Sequence, residues 1–119
     1  MQDFRNLRVW FEAHALTIAI YPATRDFPDE ERYGLMSRIR RTCSTVAERI
    51  AYGCGCATDA DFATHIAQAM SLASALEYDL LLARDLGFLN DLVYAALTSD
   101  LIEVKRMLFG LLKTLEGDR

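Results

Sequence analysis

The sequence predicts an all-α protein, an up-down-up-down four-helix bundle. Three observations predict it. Apolar residues recur in alternating steps of four and three along four long segments. No segment shows the period-two alternation of a half-buried strand. Glycine (6) and proline (2) are scarce among the 119 residues, which leaves room only for short connections. A chain of this length suits one domain, residues 1–119, and buries about two thirds of its unfolded surface.

The first helix is expected over residues 6–25, with Asn6 as its N-cap. Val9, Ala13, Leu16, Ile20 and Ala23 form its core seam. Leu7, Trp10, Phe11, Ile18 and Tyr21 form a second stripe beside it, either a wide core face or a subunit contact. Pro22 removes a helix hydrogen bond and is expected to kink or end the last turn. The second helix is expected over residues 28–51, opened by Pro28 and loaded with Asp29, Glu30 and Glu31 at its positive end. Its seam is Leu35, Ile39, Cys43, Val46 and Ile50, with Cys43 as a small core residue. Gly34 then lies inside the helix and calls for a close helix crossing; Gly53 is the expected stop.

Thr58, with Asp61 three positions on, resembles a capping box for the third helix, expected over residues 59–85. Phe62, Ile66, Ala69, Ala73, Leu76, Leu80 and Ala83 hold its seam, and Met70, Leu72, Leu81 and Leu82 widen the apolar surface. Gly87 ends it. The fourth helix, capped by Asn90 and running to residue 115, has Val93, Leu97, Leu101, Val104, Leu108, Leu111 and Leu115 in its seam. Thr98-Ser99-Asp100 are expected to loosen its middle, and Gly117-Asp118-Arg119 to form a frayed tail.

Composition narrows the function. The hydrophobic fraction, 52%, exceeds the usual 45–50%. A small bundle with that excess buries helices on two faces or associates with copies of itself. Net charge is −4; residues 1–60 carry eight basic and eight acidic residues, and 61–119 five and nine. Neutralising phosphates needs a local basic surplus, so the balance argues against a general nucleic-acid binder. Three cysteines, with one Cys-x-Cys, are not a disulfide framework. The first five residues lack an apolar signal region, and no apolar run approaches the ~20 residues of a membrane span. The expectation is a cytoplasmic protein with no membrane partner.

No catalytic or cofactor-binding set stands out. Gly53-Cys54-Gly55 follows a helix, not a strand, and lacks a Lys-Ser/Thr pair, so it reads as a turn and not a phosphate loop. Cys54, Cys56 and His65 lack the fourth ligand and spacing that zinc takes. No Glu-x-x-His pair is present for a di-iron bundle. The third helix offers Glu77 as its candidate buried carboxylate, with a paired structural charge as the favoured alternative. Neither an enzyme nor a cofactor or metal site is expected. Arg38, Arg40, Arg41 and Arg49 on the second helix are the candidate contacts to a partner or to nucleic acid, since guanidinium forks suit carboxylates and phosphates. Their structural alternative is ion pairing with Glu30, Glu31, Glu48 or a neighbouring subunit. Trp10, Phe11, Ile18, Tyr21, Leu72 and Leu81 are the candidate subunit interface.

One further pattern runs through nearly the whole chain. It comprises Leu7-x-Val9-Trp10, Phe27-Pro28-x-x-Glu31-x-Tyr33-Gly34-Leu35, Ile39-Arg40-Arg41, Ile50-Ala51-x-Gly53-x-Gly55 and Leu86-Gly87-Phe88-Leu89, in that order. It resembles the four-helix-bundle proteins encoded in ribosomal-RNA intervening sequences and their free-standing bacterial relatives. The resemblance implies a bundle that assembles as a homopentamer and has no established enzymatic activity. A related branch, the accessory proteins of diversity-generating retroelements, binds a reverse transcriptase and nucleic acid through basic surface. Two positions depart from the pattern: Tyr52 stands where the family usually has an acidic residue and Cys56 where it has a basic one. That loss and the acidic total weaken a nucleic-acid reading, while the doubled stripe of the first helix agrees with self-association.

Overall fold

Four helices form in the computed structural model, which describes residues 2–117: α1 (Arg8–Thr24), α2 (Leu35–Cys54), α3 (Asp59–Asp85) and α4 (Asp91–Glu116). At 1.5 Å per residue the 27-residue α3 spans about 40 Å, which accounts for the 44 Å long axis. α1 packs against α2 and α4, and α3 packs against α2 and α4, so the helices close into an antiparallel bundle. No strand occurs among the described residues.

The seams enclose the core. Ile20, Ile39, Ile50, Ile66, Leu76, Leu80, Leu101 and Leu108 have no exposed surface. Each apolar side chain buried this way stabilises the fold by roughly 1.5–3 kcal/mol. At the margins, Ala23, Val93, Leu111 and Leu115 are only half-buried and pack onto the core. Two threonines of α1 join its buried face: Thr17 donates to the Ala13 carbonyl at 2.8 Å and Thr24 to the Ile20 carbonyl at 2.9 Å. Bonding a hydroxyl to the preceding turn removes the desolvation cost that otherwise keeps it out of a core. Thr17 Oγ1 also lies 3.3 Å from Cys43 Sγ, and burial pushes the Cys43 thiol up to about 11.

Several boundaries depart from the sequence expectation. Asn6 caps nothing. Asp3 caps a short 3-10 turn, Phe4–Asn6, by accepting from Arg5 N at 3.0 Å, and α1 begins after the extended Leu7. Pro22 does not end α1, which continues to Thr24. The bond that Pro22 removes is the one to the carbonyl of Ile18, which lies on the exposed side of α1. Pro28 opens only a second 3-10 turn, Asp29–Glu31, and α2 starts seven residues later than expected. Gly34 therefore precedes α2 and does not mark a helix crossing. Its neighbour Glu31 folds back, and its Oε1 accepts from Leu35 N at 2.9 Å. A Cβ on Gly34 would sit 2.6 Å from that same oxygen.

Gly53 is likewise not a stop. α2 runs through it to Cys54, and the ring of Phe62 on α3 occupies the space where a Cβ would stand, 2.5 Å away. The close helix approach expected at Gly34 is thus found at Gly53. Thr58 and Asn90 cap α3 and α4 as expected, accepting from Asp61 N at 3.2 Å and Val93 N at 2.8 Å. Gly87, at φ +81°, ends α3 by reversing the chain, with Phe88 N donating to Ala83 O and Gly87 N to Arg84 O. Thr98-Ser99-Asp100 leave α4 unbroken. Gly117 terminates α4; Asp118 and Arg119 of the expected tail lie outside the described residues.

Candidate functional site

The four arginines of α2 meet four different fates. A helix turns 100° per residue, so positions 38, 40, 41 and 49 cannot share one face. Arg38 projects toward α3 and pairs with Asp79 through two bonds, Nε–Oδ2 at 3.2 Å and Nη2–Oδ1 at 3.0 Å. Asp79 is buried while the arginine side chain is half-exposed. The hydrogen bonds that Arg38 donates to Asp79 raise its pKa further and hold the guanidinium charged. Asp79 is the buried carboxylate of α3; Glu77, the other candidate, is only partly covered and is instead the paired structural charge that the sequence also allowed, bonded to Lys105 of α4 at 2.6 Å.

Arg40 projects toward α1. Its Nε donates to Thr24 Oγ1 at 2.9 Å and its Nη2 to the Tyr21 carbonyl at 3.0 Å, with the guanidinium 4.6 Å from the Tyr21 ring centre. It satisfies carbonyl and hydroxyl groups at the end of α1, where cations are favoured. Arg49 sits 3.5 Å from Glu48 and stacks on Tyr52 at 4.8 Å. Arg41 is exposed, and its only polar side-chain contact among the described residues is Ser37 Oγ at 3.3 Å. Of the expected acidic partners, Glu48 is used; Glu31 is committed to the cap of α2.

Two of these arginines line a surface groove. Arg40 and Arg41 meet Tyr21, Arg32, Tyr33, Met36, Ser37 and Ser44 around a hollow of about 410 Å³ between the end of α1 and the first half of α2. Tyr33 stands 90% exposed at its rim. Arg32 was not singled out in the sequence and Tyr33 only as part of the family pattern, because the second helix was expected to run through both. As turn residues they face solvent.

Several motif residues have structural explanations. Phe27 is buried, its ring 5.5 Å from that of Phe88 across the two loops at that end of the bundle. Pro28 O accepts from Glu31 N at 2.8 Å and shapes the 3-10 turn that delivers the Glu31 cap, after which Leu35 enters the core. Gly53 admits Phe62. Gly55 shows no comparable steric demand: an added Cβ would meet nothing closer than 3.5 Å. Tyr52 and Cys56 contact each other, the thiol donating to the Tyr52 carbonyl at 3.4 Å, and Tyr52 lies 6.0 Å from the His65 ring. Cys54 is buried in the last turn of α2. Cys54, Cys56 and His65 do not converge: among the described residues no group of three or more His, Cys, Asp or Glu is placed to hold a metal ion.

The candidate interface residues divide in two. Trp10 lies edge-on to Phe4 at 4.9 Å, stacks on His14 at 4.8 Å and packs onto the core, as does Leu72. Tyr21 carries Arg40 on its ring. Leu81 is half-buried on α3. Phe11 and Ile18 project outward, 59% and 60% exposed.

A family model described as 23S rRNA-intervening sequence protein matches residues 5–110. The chain belongs to that family. No curated protein matches it. Among solved structures, it is similar to a Bacteroides thetaiotaomicron protein of unknown function from the S23 ribosomal protein family, with a TM-score of 0.81 and 18% identity. The likeness covers 88% of this chain and 98% of the other, and at that identity it speaks for the fold alone. The four-helix bundle and the family expected from the sequence therefore hold. No described helix is long and apolar enough to cross a membrane.

Proposed function

We propose that this member of the intervening-sequence family is a non-catalytic, self-associating scaffold whose contact surface is the outer face of α1. One observation carries the reading. Between residues 11 and 22, the exposed positions of α1 are Phe11, His14, Ala15, Ile18, Ala19, Tyr21 and Pro22, with no Asp, Glu, Lys or Arg among them. A surface helix of a monomer ordinarily faces water with charged side chains. A strip this apolar along three turns is what a protein interface uses.

A ring of three or more subunits has a head-to-tail interface, so a second and different patch must receive this strip. Ile102 and Phe109, exposed at 40% and 53% on α4, together with Leu81 on α3, supply apolar surface for it. The pentamer implied by the family resemblance is the assembly we propose, in a cytoplasmic setting. Nucleic-acid binding through Arg38, Arg40, Arg41 and Arg49 together has less support, because Arg38 and Arg40 are committed to Asp79 and to the end of α1.

Light scattering at micromolar concentration tests the proposal. Five copies of 13.4 kDa give about 67 kDa. Ile18→Asp is expected to return the chain to monomer mass with its helical circular dichroism intact. A wild-type monomer overturns the scaffold reading, and an unchanged assembly in Ile18→Asp moves the contact off α1.

A further inference from the structure

The groove between α1 and α2 is unlike the rest of the surface. Three guanidinium groups line it, those of Arg32, Arg40 and Arg41, and no carboxylate does so among the described residues. In a chain of net charge −4 that is a local reversal of sign. Two tyrosines and a methionine, Tyr21, Tyr33 and Met36, provide its apolar surface, and Ser37 and Ser44 its hydroxyls. Arginine, tyrosine and methionine are the side chains enriched where proteins bind other proteins.

We propose that this groove docks an acidic peptide segment of a partner protein. The proposal rests on the scaffold reading only in naming a partner for it. Arg40 holds one wall, fixed by Thr24 and the Tyr21 carbonyl, so it contributes field without reorganising. Arg32 has no side-chain ion pair among the described residues, and Arg41 is tethered to Ser37 only along the groove edge. These two are the guanidiniums free to take carboxylates as two-pronged forks. Tyr33, 90% exposed, offers a ring for a ligand to cover, and the half-buried Met36 in the same lining suits an aliphatic side chain of the ligand.

Charge complementarity favours a short acidic segment over a nucleic-acid strand. The turn that carries Arg32 also carries Asp29 and Glu30, exposed just outside the groove. A phosphate backbone longer than the groove would be repelled by them and by the acidic second half of the chain. A peptide confined to the groove avoids both.

The full chain is titrated with an eight-residue peptide alternating Leu and Glu, with its Leu-Lys counterpart and with an eight-nucleotide oligothymidylate. Amide chemical shifts and isothermal calorimetry report binding. The Leu-Glu peptide is expected to bind with a Kd below about 1 mM, shifting the amides of Tyr33, Met36 and Arg41, and to weaken as salt rises. Tyr33→Ala and Arg41→Glu, both at exposed positions, are each expected to weaken it about tenfold or more while leaving the circular dichroism unchanged. The Leu-Lys peptide is expected not to bind. Absence of Leu-Glu binding, shifts confined to another surface, or binding untouched by both substitutions overturns the proposal. Tighter binding of the oligothymidylate overturns it in favour of nucleic acid. Because the readout is peptide binding and not mass, a chain that proves monomeric defeats the scaffold reading without touching this one.

Discussion

α1 and α2 lie side by side and bury nearly the same inner face, yet their outer faces differ. Inside, Val9, Ala13, Leu16 and Ile20 on one helix meet Leu35, Ile39, Cys43, Val46 and Ile50 on the other. Outside, α2 shows Arg38, Arg41 and Glu48, while α1 shows Phe11, Ala15, Ile18 and Pro22. The inner seam states what a helix does for its own fold. The outer face states what it meets next, and only α1 carries a face that water does not favour.

The sharpest way to break this comparison is to truncate the same residue type on the two sides. Ile20→Ala and Ile39→Ala, at fully buried positions, are each expected to cost roughly 2–5 kcal/mol of folding stability through lost contacts and a cavity. Ile18→Ala, on the same helix as Ile20, is expected to change the isolated chain's stability by less than about 0.5 kcal/mol. Urea unfolding measured on the monomer separates them. An Ile18 effect as large as that of Ile20 would mean that the outer strip belongs to the chain's own core.

The next largest effect lies where the two inner faces touch, at Cys43 and Thr17. Burial raises the Cys43 pKa from the ordinary thiol value of 9.0 to about 11. A raised folded pKa means that the unfolded chain loses its thiol proton first. The associated stability is fully present below pH 9 and is lost as pH rises toward 11, by about 2–3 kcal/mol at most. Wild type is therefore expected to lose more stability than Cys43→Ala over that window, compared by denaturant unfolding at each pH. Equal losses would place the alkaline sensitivity elsewhere.

The smallest expected effect concerns the tie between the helices. Arg40→Ala removes two bonds at the end of α1, and because the arginine is only half-buried the cost is about 1 kcal/mol. Amide exchange of the last turn of α1 should quicken more than that of its middle. Uniform acceleration along α1 would show that Arg40 supports the whole contact between the helices and not only the helix end.

Legibility followed the length scale of each signal. The seams were legible because a buried helix face repeats every three or four residues, and Ile39, Leu76 and Leu101 all fell inside. Asp79 was not, because one carboxylate among apolar neighbours carries no period and its partner Arg38 lies 41 residues away. The groove lined by Arg32 and by the motif residue Tyr33 was masked by a helix start placed too early.

The glycines mark the same boundary. The sequence alone determined that the chain makes four helices, where α3 and α4 are capped, which apolar residues line the seams and which family the pattern resembles, since each of these rests on residues close in sequence. Only the tertiary structure decided that Gly34 leaves room for the Glu31 cap, that Gly53 admits Phe62, and that Arg38 and Arg40 are tied to other helices while Arg41 bonds only within its own. Those outcomes depend on which atoms of distant segments arrive within a few ångströms. Periodicity along one helix specifies its buried side but not the side chain that meets it there.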